Sequence, residues 1–256
     1  MRTAEELRAD VEAYIGALSF SSSLGRLEDA VRYSLEPGGK RIRPVLCLAV
    51  TQSAGGDVER AFPAAAALEL VHTFSLVHDD LPAMDDDSER RGRPSSHVVF
   101  GEGVALLAGD ALLAEALRLA LTYDDPGVAR ELVGATLGMI GGQYRDITGD
   151  DVDLAELHRL KTGRLFAASV GLGLRVAGVR EKDQGPWRAF GADVGLLFQV
   201  VDDILDGDGV ASRLRPAEVR RLADSAADRA REHLDAVSAD TSVLRWLVDT
   251  VASRTV

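Results

Sequence analysis

Five aspartates fall within nine residues at Asp79, Asp80, Asp85, Asp86 and Asp87, in the stretch HTFSLVHDDLPAMDDDSERRGR that runs from His72 to Arg93. An apolar run leads in and two arginines, Arg90 and Arg91, follow. Carboxylates packed this densely beside apolar sequence repel one another unless cations offset their charge. An oxygen-only ligand set suits a hard divalent ion, Mg²⁺ above all. Guanidinium groups next to such a site suit diphosphate, whose oxygens they bind in pairs. A second acidic cluster, FQVVDDILD at 198–206, carries Asp202, Asp203 and Asp206. On a helix Asp202 and Asp206 share a face, and Asp203 points about 100° away. Both clusters sit inside apolar sequence, unlike a solvated helix face. Two acidic helices facing each other could hold Mg²⁺ ions around one diphosphate, each ion taking one or two carboxylates.

Basic motifs complement the acidic ones. GGKRIRP, Gly38 to Pro44, places Lys40, Arg41 and Arg43 after two glycines and at a helix start. Basic residues there oppose the helix dipole, so an anion makes better physical sense of them. HRLKTGRLF, His158 to Phe166, puts Lys161 and Thr162 at or near the head of an apolar helix, a lysine and a hydroxyl suited to phosphate. Gln143 and Asp146 are polar groups near the end of another apolar helix, open to partners or ligands.

The elements that must position these groups are helical. The 256 residues are 46% hydrophobic and only 5% aromatic, which favours helix and a substantial core. Amphipathic or apolar patterns predict helices over 3–19, 24–35, 44–53, 60–81, 101–123, 128–146, 187–205, 216–237 and 241–252, with another beginning near Lys161. No alternating strand pattern, Pro/Gly/Ser-rich linker, P-loop or GxGxxG occurs. The expectation is one all-α domain over 1–256, a bundle of about ten helices. On the helix that enters the first cluster, Phe74 and Ser75 lie about one turn below Asp79, and His72 lies two turns below it. A pocket descending from the metal site would meet Phe74 and Ser75 first.

Composition excludes several classes. A net charge of −12 argues against a nucleic-acid partner. Cys47 is the sole cysteine, so neither an intrachain disulfide nor a zinc-thiolate site is expected. The N-terminus MRTAEELRAD lacks a signal-peptide core and no apolar stretch is long enough to span a bilayer, so a cytoplasmic protein is expected.

Taken together and in order, GGKRIRP, DDLPAMD, KTG and FQVVDDILD resemble the trans-isoprenyl diphosphate synthases over about residues 25–206. The resemblance implies the isoprenoid-synthase type of bundle, with a central apolar pocket between the two Asp-rich helices. It implies that Asp79 and Asp85, supported by Asp80, bind Mg²⁺ on one side and Asp202 and Asp206 on the other, with three Mg²⁺ per site. Arg90, Lys161, Thr162 and Gln199 would lie near an allylic diphosphate. Lys40, Arg43, His72 and Arg91, with Arg41 in the same motif, would form the isopentenyl diphosphate site.

The implied reaction is head-to-tail condensation, with Asp79, Asp80, Asp85, Lys161 and Asp202 carrying catalysis. Phe74 and Ser75 would set chain length, with farnesyl diphosphate (C15) as the product and geranylgeranyl diphosphate (C20) as the alternative. A homodimer is expected from the family. A non-catalytic regulatory member is a further reading, and a terpene cyclase is opposed by GGKRIRP and DDILD. One departure stands out. The family's lysine-containing lid after the second cluster is replaced by GDGVASRLRPAEV, and no lysine follows Lys182. Arg213 and Arg215 are the candidate substitutes.

Overall fold

The computed structural model describes residues 1–36, 39–149, 153–207, 209–212 and 214–255. Among them are ten helices of nine residues or more and two five-residue ones. In chain order they are α1 Ala4–Gly16, α2 Leu27–Leu35, α3 Ile42–Ser53, α4 Phe62–Asp79, α5 Ser96–Phe100 and α6 Glu102–Ala120, followed by α7 Pro126–Thr148, α8 Leu154–His158, α9 Arg164–Val176, α10 Gly185–Asp206, α11 Pro216–Asp235 and α12 Ser242–Ala252. The all-α expectation holds. No helix of the described residues is long and apolar enough to cross a membrane.

Local sequence explains the ends. Thr3 and Glu6 form a reciprocal capping box that starts α1, and Leu7, Val11 and Ile15 then recur on its buried face. Pro63 opens α4, where its missing N–H costs nothing. α4 is apolar on nearly every side, because other helices surround it. Ala64 to Ala67, Leu68, Leu70 and Val71 are all fully buried. Glycines allow close approach at two neighbouring contacts. A Cβ on Gly109 of α6 would lie 2.2 Å from the His78 ring of α4, and one on Gly173 of α9 would lie 2.6 Å from the Cys47 carbonyl of α3. Against α10, α11 buries only small side chains along much of its length, Ala223, Ala226, Ala227 and Ala230. Buried side chains from Ala4 to Val251 form one contiguous core.

Three boundaries differ from the sequence expectation in ways that matter for the site. α4 stops at Asp79, not at Leu81. Two short strands occur where none was predicted: β1 Glu89–Arg90 and β2 Arg93–Pro94 pair antiparallel around Arg91 and Gly92, both at positive φ. Two positive-φ residues make the tight turn that matches strand twist, and two-residue strands are too short to show alternation. Lys161 and Thr162 lie not at the head of α9 but within a π-helical turn, Arg159–Gly163, that joins α8 to α9.

Candidate active site

The first acidic motif folds back on the end of α4. The Leu81 N–H donates to the His78 carbonyl and the Met84 N–H to the Leu81 carbonyl. The Asp85 N–H donates to the Asp79 carbonyl at 2.9 Å. The residues between Asp80 and Asp85 thus form a closed turn that returns Asp85 to the side of Asp79. Burial pushes the Asp79 carboxyl up to about 6; Lys161 opposes the rise, and Asp85 and Asp80 add to it. Asp80 has a different role from the one expected. It is buried, and its Oδ1 accepts from Arg90 Nε at 2.8 Å and Nη2 at 2.5 Å. Arg90 also bridges to Asp87 at 2.7 Å. Asp80 therefore fixes the β-hairpin, and with it Arg90, against the end of α4.

On α10 the helical phase separates the second motif. Asp202 is half-buried, and burial pushes it up to about 6, with Arg43 opposing and Asp206 adding to the rise. Asp206 is exposed one turn on. Asp203 turns away and is buried, accepting from Gln199 Nε2 at 2.7 Å and from the Val210 N–H at 2.8 Å. His158 Nε2 lies 3.8 Å from it. A Cβ on Gly209, at φ +49°, would sit 2.3 Å from Asp203 Oδ2, so the chain after α10 wraps around this carboxylate. Gln199 thus supports Asp203, where a diphosphate contact was expected.

Among the described residues no three His, Cys, Asp or Glu side chains converge on one metal position. Mg²⁺ does not require such a group, since it takes one or two carboxylates and completes its shell with water and phosphate oxygens. The donor set fits: it is all carboxylate, and Asp79 and Asp202 are each held high by burial and a neighbouring carboxylate. Asp79 with Asp85, and Asp202 with Asp206, are the residues that would hold the ion.

Beside Asp202 lies a cavity of about 450 Å³ walled by Lys40, Arg41, Arg43, His72, Arg90, Arg91 and Arg254. Within it Arg43 lies over the adjoining rings of Phe166 and Phe198, 4.7 and 5.7 Å from the ring centres. Burial lowers its guanidinium to about 10, and its Nε is buried without a hydrogen-bond partner. Such a donor is an anion receptor in waiting. Burial, reinforced by Arg43 and Arg91, drives His72 well below the usual imidazole range, so it is neutral. The two basic motifs meet at Gly39, where a Cβ would lie 2.8 Å from Arg91 Nη1. Gly38 lies outside the described residues.

Arg41 departs from expectation. At φ +50° it turns inward, pairs with the equally buried Glu69 at 2.5 Å and donates to the Leu35 carbonyl at 2.6 Å. Arg41 pins the loop, while Lys40, Arg43 and Arg91 line the cavity without being drawn into that pair. Arg215 also departs. It is 80% exposed, paired with Glu218 at 2.5 Å, and does not line this cavity. Arg213 lies outside the described residues. The cation near Asp202 that sequence reading missed is Arg254, set 5.7 Å over the Phe198 ring. No motif marks it, because α12 alone brings it back to the site.

A second cavity, of about 520 Å³, runs below Asp79 and is walled mainly by apolar side chains, among them Phe74, Met84, Met139, Ile140, Tyr144, Ile147 and Leu165. Arg43, His72, Leu76 and Thr162 line both cavities, so the apolar and basic spaces adjoin. Phe74 is buried, edge-on to His78 at 5.0 Å between ring centres. Ser75 turns its hydroxyl to the His72 carbonyl at 2.8 Å. Lys161 lines the mouth and pairs with Asp146. Glycines hold its π-helical turn in place: a Cβ on Gly142 would lie 2.9 Å from the Lys161 nitrogen, and one on Gly195 3.2 Å from Gly163 Cα. Gln143 Oε1 is buried without a partner at the same wall.

An all-α bundle with two carboxylate-bearing helix ends above an apolar cavity is the architecture of an isoprenoid-synthase-type protein. The polyprenyl synthetase family model matches residues 25–215, and this chain belongs to that family. It is 47% identical over 193 residues to a geranylgeranyl diphosphate synthase of Cyanophora paradoxa, a match covering 70% of this chain and 64% of the relative. It is 42% identical over 204 residues to a farnesyl diphosphate synthase of Geobacillus stearothermophilus, covering 74% of this chain and 69% of the relative. The matched stretch is thus only about two thirds of these relatives' length. Among solved structures, a geranyltransferase from Legionella pneumophila superposes with a TM-score of 0.88 at 31% identity, covering 98% of this chain and 96% of that one. An FPP/GFPP synthase from Zymomonas mobilis gives 0.87 at 31% identity, covering 97% of both.

Proposed function

We propose that residues 1–256 form one domain that condenses isopentenyl diphosphate head-to-tail with an allylic diphosphate in a Mg²⁺-dependent reaction. The observation that carries this reading is the junction of the two cavities. An anion held by Lys40, Arg43 and Arg91 would place its apolar part at His72, Leu76 and Thr162, beside the mouth of the apolar space. An allylic tail lowered into that space leaves its diphosphate between Asp79 and Asp202. Asp79 with Asp85, and Asp202 with Asp206, would hold Mg²⁺ there, three ions per site on the family pattern, which would supply charge stabilisation to the leaving diphosphate. Lys161, across from Asp79, adds a fixed positive charge where negative charge develops. As the C1–O bond breaks, the double bond of isopentenyl diphosphate attacks C1 from the side of Arg43 and His72. The proton lost to restore a double bond passes to the departing diphosphate. His72 is neutral and does not repel the allylic cation. The apolar walls keep out water that would quench it.

The product follows from the floor. Phe74 blocks the descent about one turn below Asp79, so C15, farnesyl diphosphate, is the expected product. Ser75 leaves a narrow path beside it, which favours C20 as the second reading. Purified protein, Mg²⁺, isopentenyl diphosphate and geranyl diphosphate, with products sized by chromatography, test both. A C15 product that lengthens in Phe74→Ala supports the floor. A C20 product from the unmodified protein removes that role. No product from folded protein overturns the catalytic reading in favour of a regulatory one.

A homodimer belongs to the same proposal. Val99, Leu106, Leu107, Val133, Leu137 and Tyr144 of α5 to α7 are all more than a third exposed, where a monomer would normally present polar side chains. Ile140, Tyr144 and Ile147 are both exposed and part of the apolar cavity wall. A second copy covering this face would seal the cavity from water.

A further inference from the structure

The hairpin that carries Arg90 and Arg91 is not held by its own strands. β1 and β2 share two residue pairs, Glu89 with Pro94 and Arg90 with Arg93. So short a ladder is not stable alone. Arg91 sits at φ +56°, a conformation that a residue with a Cβ keeps only when its surroundings impose it. Close packing does not supply that constraint everywhere, because a cavity of about 60 Å³ separates part of the hairpin from the helices, lined by Arg93, Pro94, Ser96, Tyr33, Thr73 and Val77 among others. Polar attachments do the fastening. Asp80 of α4 takes Arg90. From α2, the Tyr33 hydroxyl donates to the Pro94 carbonyl at 2.7 Å, and the Tyr33 ring lies under the Arg93 guanidinium, 4.3 Å from its centre. Arg93 Nη2 also pairs with Glu36 Oε2 at 2.9 Å. The Tyr33 ring is itself set edge-on to Phe100 at 5.4 Å.

Glu36 follows the last residue of α2 and stands three residues before Gly39, the point at which Arg91 meets the first basic motif. Arg93 therefore ties the segment that delivers Gly39 and Lys40 to the turn that delivers Arg91. We infer that Arg93, with Tyr33 and Glu36, is a positioning latch: it fixes Arg91 against Gly39, so that Arg91, Lys40 and Arg43 form one receptor for diphosphate. Arg93 itself lines neither the basic nor the apolar cavity and acts through Arg91. Arg90 has its own anchor in Asp80, so the latch governs isopentenyl diphosphate and not the allylic partner. The Arg93 and Glu36 side chains are 39% and 53% exposed, and an ion pair so exposed stabilises a fold little, so its worth lies in the geometry it sets. This inference rests on the proposed capture of isopentenyl diphosphate by Lys40, Arg43 and Arg91.

Titration calorimetry of the full chain with inorganic pyrophosphate, without Mg²⁺, reads the anion receptor apart from turnover. Glu36→Ala separates positioning from simple charge. It removes a negative charge from beside a basic cavity, so Coulomb attraction alone would tighten pyrophosphate, whereas loss of the latch weakens it. The expected result is a weakening of about tenfold, the scale of one charge-assisted hydrogen bond, with the melting temperature kept. Arg93→Ala gives a similar loss, and adds nothing in an Arg91→Ala background. Tighter or unchanged binding in Glu36→Ala overturns the inference, as does a loss from Arg93→Ala that persists in full without Arg91. A parent chain that binds no pyrophosphate overturns it as well. With an active enzyme, Glu36→Ala raises the KM for isopentenyl diphosphate about tenfold while kcat and the KM for geranyl diphosphate are held. An equal rise in both KM values overturns the assignment to Arg91. The expected pyrophosphate results in a chain that makes no product support the latch and overturn only the proposed reaction.

Discussion

Asp79 and Asp202 carry opposite demands. Each is kept partly out of water and near another carboxylate, so its charged form is disfavoured in the metal-free protein. Both are raised to about 6 from an unfolded value near 4, so the folded state binds more protons between those limits. Metal-free stability from these two groups is therefore full below about pH 4 and falls as pH rises to about 6. Asp79→Asn and Asp202→Asn should raise the metal-free melting temperature at pH 8 and change it little near pH 4, as calorimetry across pH will show. The same variants should lose at least about 10²-fold in kcat, on the scale of removing a group that stabilises transition-state charge. Protons compete for these carboxylates, so Mg²⁺ affinity should weaken as pH falls through about 6, measurable by isothermal titration. Arg41 and Arg43 illustrate a different separation of roles two residues apart. Arg41→Ala leaves Glu69 buried and unpaired, and should cost about 3–5 kcal/mol in urea unfolding. Arg43→Ala should instead raise the KM for isopentenyl diphosphate with a smaller change in stability.

Helix ends and turns set how the site is held. The π-helical turn 159–163 brings Lys161 opposite Asp79, and it fits only because Gly142 and Gly195 leave room for it. Gly142→Val places a branched side chain where the Lys161 backbone lies. It should lower kcat more than it raises KM, with the fold retained by circular dichroism. The segment after α10 is organised differently from a lysine-bearing lid. Asp203 takes the Val210 N–H and leaves no space for a Cβ at Gly209. Asp203→Ala should free residues 209–212, detected as faster cleavage there by a non-specific protease, while the helices stay intact.

At the scale of the whole molecule the exposed apolar face of α5 to α7 dominates. A standard interface buries ~800 Å² per partner, and contiguous exposed apolar side chains of this kind are what such an interface covers. Leu137 is 64% exposed and Leu107 53%. The double variant Leu107→Asp, Leu137→Asp should be monomeric by light scattering where the parent is dimeric. Because Ile140, Tyr144 and Ile147 also wall the reaction cavity, the monomer should lose activity or release more hydrolysed allylic alcohol. A parent chain that is itself monomeric would remove the partner from this role.

Much of this was legible from residue type and spacing alone. Apolar periodicity gave the helices, because a 3.6-residue repeat is a local property. The i,i+4 pairing of Asp202 and Asp206 was readable for the same reason, as was the turn of Asp203 away from them; that it turns into the fold was not. The tertiary structure decided what depends on which groups meet. Sequence spacing cannot tell that Arg41 points to Glu69, 28 residues away, while Arg43 faces the cavity. It cannot tell that Asp80 belongs to Arg90, that Gln199 serves Asp203, or that Lys161 rides a π-helical turn. Arg254 lies in no motif, and only the packing of α12 beside α3 and α10 carries it to Lys40 and Asp202. The chain's local chemistry determined that it could bind a divalent ion and a diphosphate. Long-range packing determined which carboxylates and cations stay free, because a buried charge paired inside the fold, as Arg41 is with Glu69 and Asp80 with Arg90, is no longer available to a ligand.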